Sequence, residues 1–211
     1  MHDFRYVSKK TAAPVKNKLL DLILKVQNIV RDKFTFQYEF VGSSSRNMIT
    51  YDTKSNIGYD FDVNFAVNYG DKKYSPKQIR TIIRNAIDDV APQYGYDHCE
   101  DSTRVLTIKQ KDYKSATILH SCDFAIVFNR ENGQQYIRYN KDTGNYTWEY
   151  QGIGFETLPE KIEWLKDNNL WSDLQDYYID KKNYNNDSNK HSRSIFAESI
   201  NEICQKNDYF D

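Results

Sequence analysis

The chain has 211 residues, 29 basic and 30 acidic side chains, and a formal net charge of −1. That length supports one good-sized domain, or a domain with a small appended part, and the near-neutral balance argues against a surface given over as a whole to gripping duplex DNA. Cys99, Cys122 and Cys204 show no disulfide-framework or metal-motif spacing, residues 1–14 carry no signal-peptide pattern, and no apolar run approaches a membrane span. The expectation is a soluble, cytoplasmic protein.

In chain order, Pro14 opens an apolar pattern (Val15, Leu19, Leu20, Leu22, Ile23, Val26, Ile29, Val30) that predicts a core-facing helix. Residues 36–41 alternate as a strand and stop at Gly42, followed by Ser43, Ser44 and Ser45. Residues 59–67 predict a second strand, 69–73 a polar loop, and Ser75-Pro76 the capped start of a helix whose Ile79, Ile82, Ile83, Ile87 and Val90 keep helical spacing. Strands are predicted over 94–99, 105–109 and 120–128, and a hairpin over 135–139 and 146–150 around Asp142-Thr143-Gly144. Helices follow over 158–168, 170–179 and 192–205, with the polar stretch 180–190 read as a mobile linker. The class is α+β: a mixed sheet flanked by helices over residues 1–155, then a small helical C-terminal subdomain over 156–211.

The chemistry is concentrated in a few residues. Side chains at i and i+2 of a strand share a face, so Asp60 and Asp62 project together while Phe61 and Val63 point into the core. Paired carboxylates repel unless a cation neutralises them, and a hard, oxygen-seeking ion such as Mg2+ is the ordinary choice. Asp123, early in the buried strand 120–128, is placed for a neighbouring strand to deliver a third carboxylate. Three carboxylates can bridge two metals in the arrangement that clamps both oxygens of an in-line phosphoryl displacement. Gly42 permits close backbone approach, and Ser43 to Ser45 offer hydroxyls and N–H groups to phosphate oxygens.

The run Phe40-Val41-Gly42-Ser43-Ser44, then Asp60-Phe61-Asp62-Val63, then Asp123, resembles the signature of the polymerase-beta-like nucleotidyltransferase superfamily. It is nearest the template-independent branch of oligoadenylate synthetases, cyclic GMP-AMP synthase and their bacterial relatives. The segment 45–59 is longer than the spacer typical of that family. The resemblance implies that Ser43, with Gly42 and Ser44, holds the triphosphate, that Asp60 and Asp62 bind two Mg2+ ions (or Mn2+), and that Asp123 is both metal ligand and activator of the acceptor hydroxyl. It further implies ATP or GTP as substrate, with the nucleotide cleft between sheet and helical subdomain. The acceptor is not named by any residue.

Blander readings stand beside these. Asp60 and Asp62 alone would pass for solvated carboxylates, and Asp123 for a polar residue opening a strand. Arg193 is offered as a forked phosphate contact, against the reading in which Ser192 caps a helix packed through Ile195, Phe196, Ile200 and Ile203. Adjacent His98 and Cys99 would point to opposite faces, which argues against a zinc site with His120 and Cys122. Lys109, Lys111 and Lys114 around Tyr113 resemble an RNA-binding patch, though such clusters are commonly solvated turns. The alternative function is a non-catalytic nucleotide-binding or RNA-binding module of the same fold.

Overall fold

The computed structural model describes residues 2–68, 74–152, 157–187 and 189–209. In chain order it contains β1 (Phe4–Tyr6), α1 (Lys9–Val30), β2 (Thr35–Val41), α2 (Gly42–Ser45), β3 (Thr50–Asp52), β4 (Ile57–Asn68), α3 (Pro76–Val90), β5 (Glu100–Asp101), β6 (Val105–Asp112), β7 (Thr117–Arg130), β8 (Gly133–Asn140), β9 (Asn145–Tyr150), α4 (Leu158–Asp167), α5 (Trp171–Tyr184) and α6 (Ser192–Lys206). The chain divides into two compact units: one of Val7–Thr50 with Asn56–Gln151, the other of Met1–Tyr6, Tyr51–Ser55 and Gly152–Asp211.

The larger unit is built on a seven-stranded mixed sheet in the order β2-β4-β7-β6-β5, with β8 added to the far end of β7 and β9 to β8. Among the described strands of this sheet only the β4–β7 pair is parallel. Along β4, Phe61, Val63, Phe65 and Val67 are buried while the residues between them are not. Phe124 and Ile126 of β7 and Leu106 and Ile108 of β6 join the same core. Leu19, Leu22, Ile23 and Val26 of α1 and Ile79, Ile83, Ile87 and Val90 of α3 close over it. Each such side chain contributes about 1.5–3 kcal/mol of apolar burial, so this face is fixed by packing and the opposite face is left for chemistry.

Arg80 lies in the buried stripe of α3, only 1% exposed. Its guanidinium donates to Asp101 Oδ1 and to the carbonyls of Ile137, Ser102 and Val105, at 2.6–3.0 Å, and faces the Tyr146 ring at 5.9 Å. A buried charge persists only when paired and hydrogen-bonded on all sides. Arg80 thereby ties α3 to β5, β6 and β8.

Several expected elements are redrawn. α1 begins at Lys9, capped by the Ser8 hydroxyl, with Pro14 inside it; a proline in the second turn gives up one i→i−4 bond without ending the helix. The strand expected over 94–99 is instead a 3₁₀ turn, Ala91–Tyr94, then left-handed Gly95 at φ 74°, and only Glu100–Asp101 pairs as β5. α5 runs to Tyr184, so the first part of the expected linker is helical. Ser192 is the first helical residue of α6 and His191 occupies the cap position without a side-chain bond. The capping box at Ser75 and Gln78 forms as read. The expected loop 69–73 and the subdomain boundary at 155/156 lie outside the described residues.

The smaller unit holds the β1–β3 ribbon and α4 to α6. Phe4 N donates to Asn183 and Tyr6 Oη donates to the Gln175 carbonyl, which fixes β1 on α5. Leu174, Tyr178, Ile195, Phe196 and Ile200 form its packed interior.

Candidate active site

The acids come together because of strand register. In the parallel ladder Asp62 lies opposite Asp123 and Asp60 opposite Ser121. In the antiparallel ladder on the other side of β7, Thr107 lies opposite Asp123 and Lys109 opposite Ser121. Since side chains of registered neighbours share a face, β4, β7 and β6 present Asp60, Asp62, Ser121, Asp123, Thr107 and Lys109 on one side, away from the core. The predicted trio is thus assembled on two adjacent strands.

The surroundings of the three carboxylates differ. Asp60 is exposed and accepts a hydrogen bond from the Ser121 hydroxyl. Asp123 is half-buried and accepts from Thr107 Oγ1 at 2.6 Å. Burial, countered in part by the Thr107 bond and by Lys109 and reinforced by the charge of Asp60, leaves the Asp123 carboxyl above its ordinary range. Asp62 has no hydroxyl donor among the described residues; burial first, then the charges of Asp123 and Asp60, push it up to about 6, against a smaller opposing pull from Arg46. Burial first and mutual repulsion second thus disfavour the ionised forms of Asp62 and Asp123.

The turn before them is shaped to fit. Gly42 has φ 65°, and a β-carbon there would lie 2.5 Å from Asp62 Oδ2, so glycine lets the backbone press against the central carboxylate. Within α2, Ser44 is buried and donates to the Val41 carbonyl, and Ser45 donates to the Gly42 carbonyl, both at 2.9 Å. Those two hydroxyls brace the turn. The Ser43 hydroxyl has no protein partner among the described residues, while its carbonyl accepts from the Arg46 and Met48 amides.

Of the remaining candidates, Arg193 is exposed in the first turn of α6, in the smaller unit. His98 is exposed, whereas His120 is buried behind the sheet, 3.0 Å from Tyr96 Oη and stacked on Tyr59. Lys109 pairs with Glu100 at 2.5 Å and Lys111 with Asp97 at 2.7 Å, so two of the three patch lysines are neutralised locally. Ser121 and Thr107 were not singled out from the sequence. The available signal was a hydroxyl residue two positions before Asp123, hence on its face.

Among the described residues no three His, Cys, Asp or Glu side chains are gathered closely enough to hold a metal ion in their present orientations. The donor set still suits Mg2+ or Mn2+: three carboxylates on one face, all-oxygen, with no thiol or imidazole among them. No helix among the described residues is long and apolar enough to cross a membrane.

The sheet with its acid-bearing face and two covering helices is a nucleotidyltransferase-like fold. No family model matches the chain, and no curated protein matches its sequence. Solved structures match its fold. Vibrio cholerae DncV cyclic AMP-GMP synthase, a prokaryotic cGAS homolog, aligns with a TM-score of 0.64 at 11% identity, covering 93% of this chain and 67% of that one. The STING-associated CdnE c-di-GMP synthase of Capnocytophaga granulosa aligns at 0.59 and 16% identity, covering 96% and 62%. The GTP-bound form of Vibrio cholerae DncV aligns at 0.58 and 15% identity, covering 92% and 52%. The chain therefore spans from about half to two thirds of the length of these proteins.

Proposed function

We propose that this chain is a metal-dependent nucleotidyltransferase that moves a nucleoside monophosphate from an NTP to an acceptor hydroxyl and releases pyrophosphate. The observation that carries the reading is the register that sets Asp62 beside Asp123, with Asp60 two residues away on the same face and the Gly42 backbone against Asp62. Vibrio cholerae DncV, which has the same fold, binds GTP in one structure and the linear intermediate 5' pppA(3',5')pG in another, which supports NTP, ATP or GTP, as the substrate class here.

The chemistry resides in the sheet unit. Ser43, the only hydroxyl of the turn not spent on the turn itself, and the neighbouring backbone hold the β- and γ-phosphates. Asp60, Asp62 and Asp123 would hold two divalent cations, which when bound supply charge neutralisation and draw the reacting oxygens into line. Asp123 takes the proton of the acceptor hydroxyl as the new O–P bond forms and the bond to pyrophosphate breaks. Most of the acceleration comes from alignment and fixed charge.

The test is equilibrium binding of each NTP with and without Mn2+, by calorimetry. The reading expects binding that needs the metal and that Asp60→Ala removes. Metal-independent binding, unchanged in Asp60→Ala, would replace it with the non-catalytic module.

A further inference from the structure

Two hydroxyls sit beside the outer carboxylates, Ser121 next to Asp60 and Thr107 next to Asp123, and nothing in the proposed chemistry assigns them a role. Ser121 is 6% exposed and its one proton goes to Asp60. Thr107 spends its proton on Asp123 at 2.6 Å. Each donor is on the strand next to its acceptor and at the registered position, so both contacts follow from the ladder and not from a mobile loop. Lys109, the one cation on that face of β6, is committed to Glu100 at 2.5 Å.

The choice of donor is chemically informative. A lysine or arginine in the same places would orient the acids but also cancel their charge and compete with a cation. A hydroxyl fixes one carboxylate oxygen and leaves both the charge and the second oxygen available. Ligating carboxylates oriented by a fixed outer hydrogen bond lose about 10–100-fold in metal affinity when that bond is removed.

We infer that Ser121 and Thr107 are positioning residues for divalent-cation capture, holding Asp60 and Asp123 apart on either side of Asp62. This rests on the metal-dependent reading above. Each tether takes one carboxylate oxygen and leaves the charge and the second oxygen of Asp60 and Asp123 available beside Asp62, where they would hold a cation.

The experiment measures Mn2+ alone binding to the full chain, by electron paramagnetic resonance, in wild type, Ser121→Ala, Thr107→Val, Thr107→Ser and Asp62→Asn, with unfolding temperature in chelator as a second readout. Thr107→Val is nearly isosteric and Thr107→Ser keeps the hydroxyl. Expected are a loss of about 10-fold or more in Mn2+ affinity for Ser121→Ala and Thr107→Val, recovery to within about 3-fold in Thr107→Ser, and unfolding temperatures close to wild type. Affinities within about 2-fold of wild type in both hydroxyl-lacking variants, while Asp62→Asn abolishes binding, would overturn the positioning role and leave the metal site standing. A wild type that binds no Mn2+, or binding insensitive to Asp62→Asn, would overturn both.

Discussion

Gly42 and Asp62 are in contact across the β2–β4 edge: the space a β-carbon would need on Gly42 is occupied by Asp62 Oδ2, at 2.5 Å. Val41, the residue before the turn, is the ladder partner of Asp62, so the turn that would seat the phosphates and the carboxylate that would hold the metals are positioned by the same pair of strands. Gly42→Ala would push that carboxylate aside and also pay about 1–2 kcal/mol for a left-handed alanine. The expected result is an unfolding temperature lower by several degrees together with loss of metal-dependent NTP binding, read by calorimetry. A fully active Gly42→Ala protein would mean the close approach is unimportant.

Gly58 tests the parallel ladder itself. A β-carbon there would meet the Leu119 carbonyl oxygen at 1.9 Å and its carbon at 2.4 Å, and backbone cannot step aside as a side-chain tip can. Gly58→Ala is expected to destabilise by about 3 kcal/mol or more in urea denaturation, by prising β4 from β7 at the end that leads to Asp60.

Arg80→Ala should be among the most damaging substitutions outside the site. It removes the charged donor that Asp101 and the carbonyls of Ile137, Ser102 and Val105 share, leaving Asp101 with the Tyr146 hydroxyl and the Val105 carbonyl with Ser102, a loss of about 3–5 kcal/mol for a broken buried pair. The pair lies on the core side of the sheet, opposite the acids, so NTP binding by whatever fraction stays folded at low temperature should persist.

Two buried groups give the metal-free protein opposing responses to acid. The Asp62 carboxyl, raised to about 6 chiefly by burial and by its acidic neighbours, binds its proton more tightly in the folded state. Its contribution is therefore fully favourable below the unfolded value near 4 and is lost as pH rises through about 6. His120, pushed down to about 4 by burial and by Lys18, does the reverse: its contribution is present above the unfolded value near 6.5 and is lost as pH falls through about 4. Each is of order 3 kcal/mol, so between pH 4 and 6 they largely cancel. In chelator, Asp62→Asn should be more stable than wild type above pH 6 and should expose a steep loss below it. His120→Gln, which can still bond Tyr96, should gain stability on acidification from 6 to 4. Parallel pH profiles for all three proteins in thermal melts would contradict these assignments.

Much of this was legible in the residues, for a physical reason. A strand buried on one face writes its period into the sequence, so Phe61, Val63 and Phe65 announced the core side and placed Asp60 and Asp62 on the other. The helix opened by Ser75-Pro76 was equally plain, because a capping box is local chemistry. The misreadings were non-local. β1 and β3 are three residues each and exist through pairing with each other. Tyr94 to Cys99 has strand-like composition, but Pro92 and left-handed Gly95 impose a turn first. Arg80 shares the i, i+3, i+7 stripe of Ile83 and Ile87, and a charge in that stripe signals a buried partner that only the fold identifies. Ser121 and Thr107 became visible once register set them against Asp60 and Asp123.

Nucleotidyl transfer is decided by following pyrophosphate release from a mixture of the four NTPs with Mn2+, in wild type and in the Asp60→Ala, Asp62→Ala double variant. Expected are release by wild type, a product heavier than the acceptor by one nucleotidyl group (the monophosphate less water), and a fall of about 10³-fold or more in the variant. Equal release by the two proteins, or none from a wild type that binds NTP without needing metal, would contradict it.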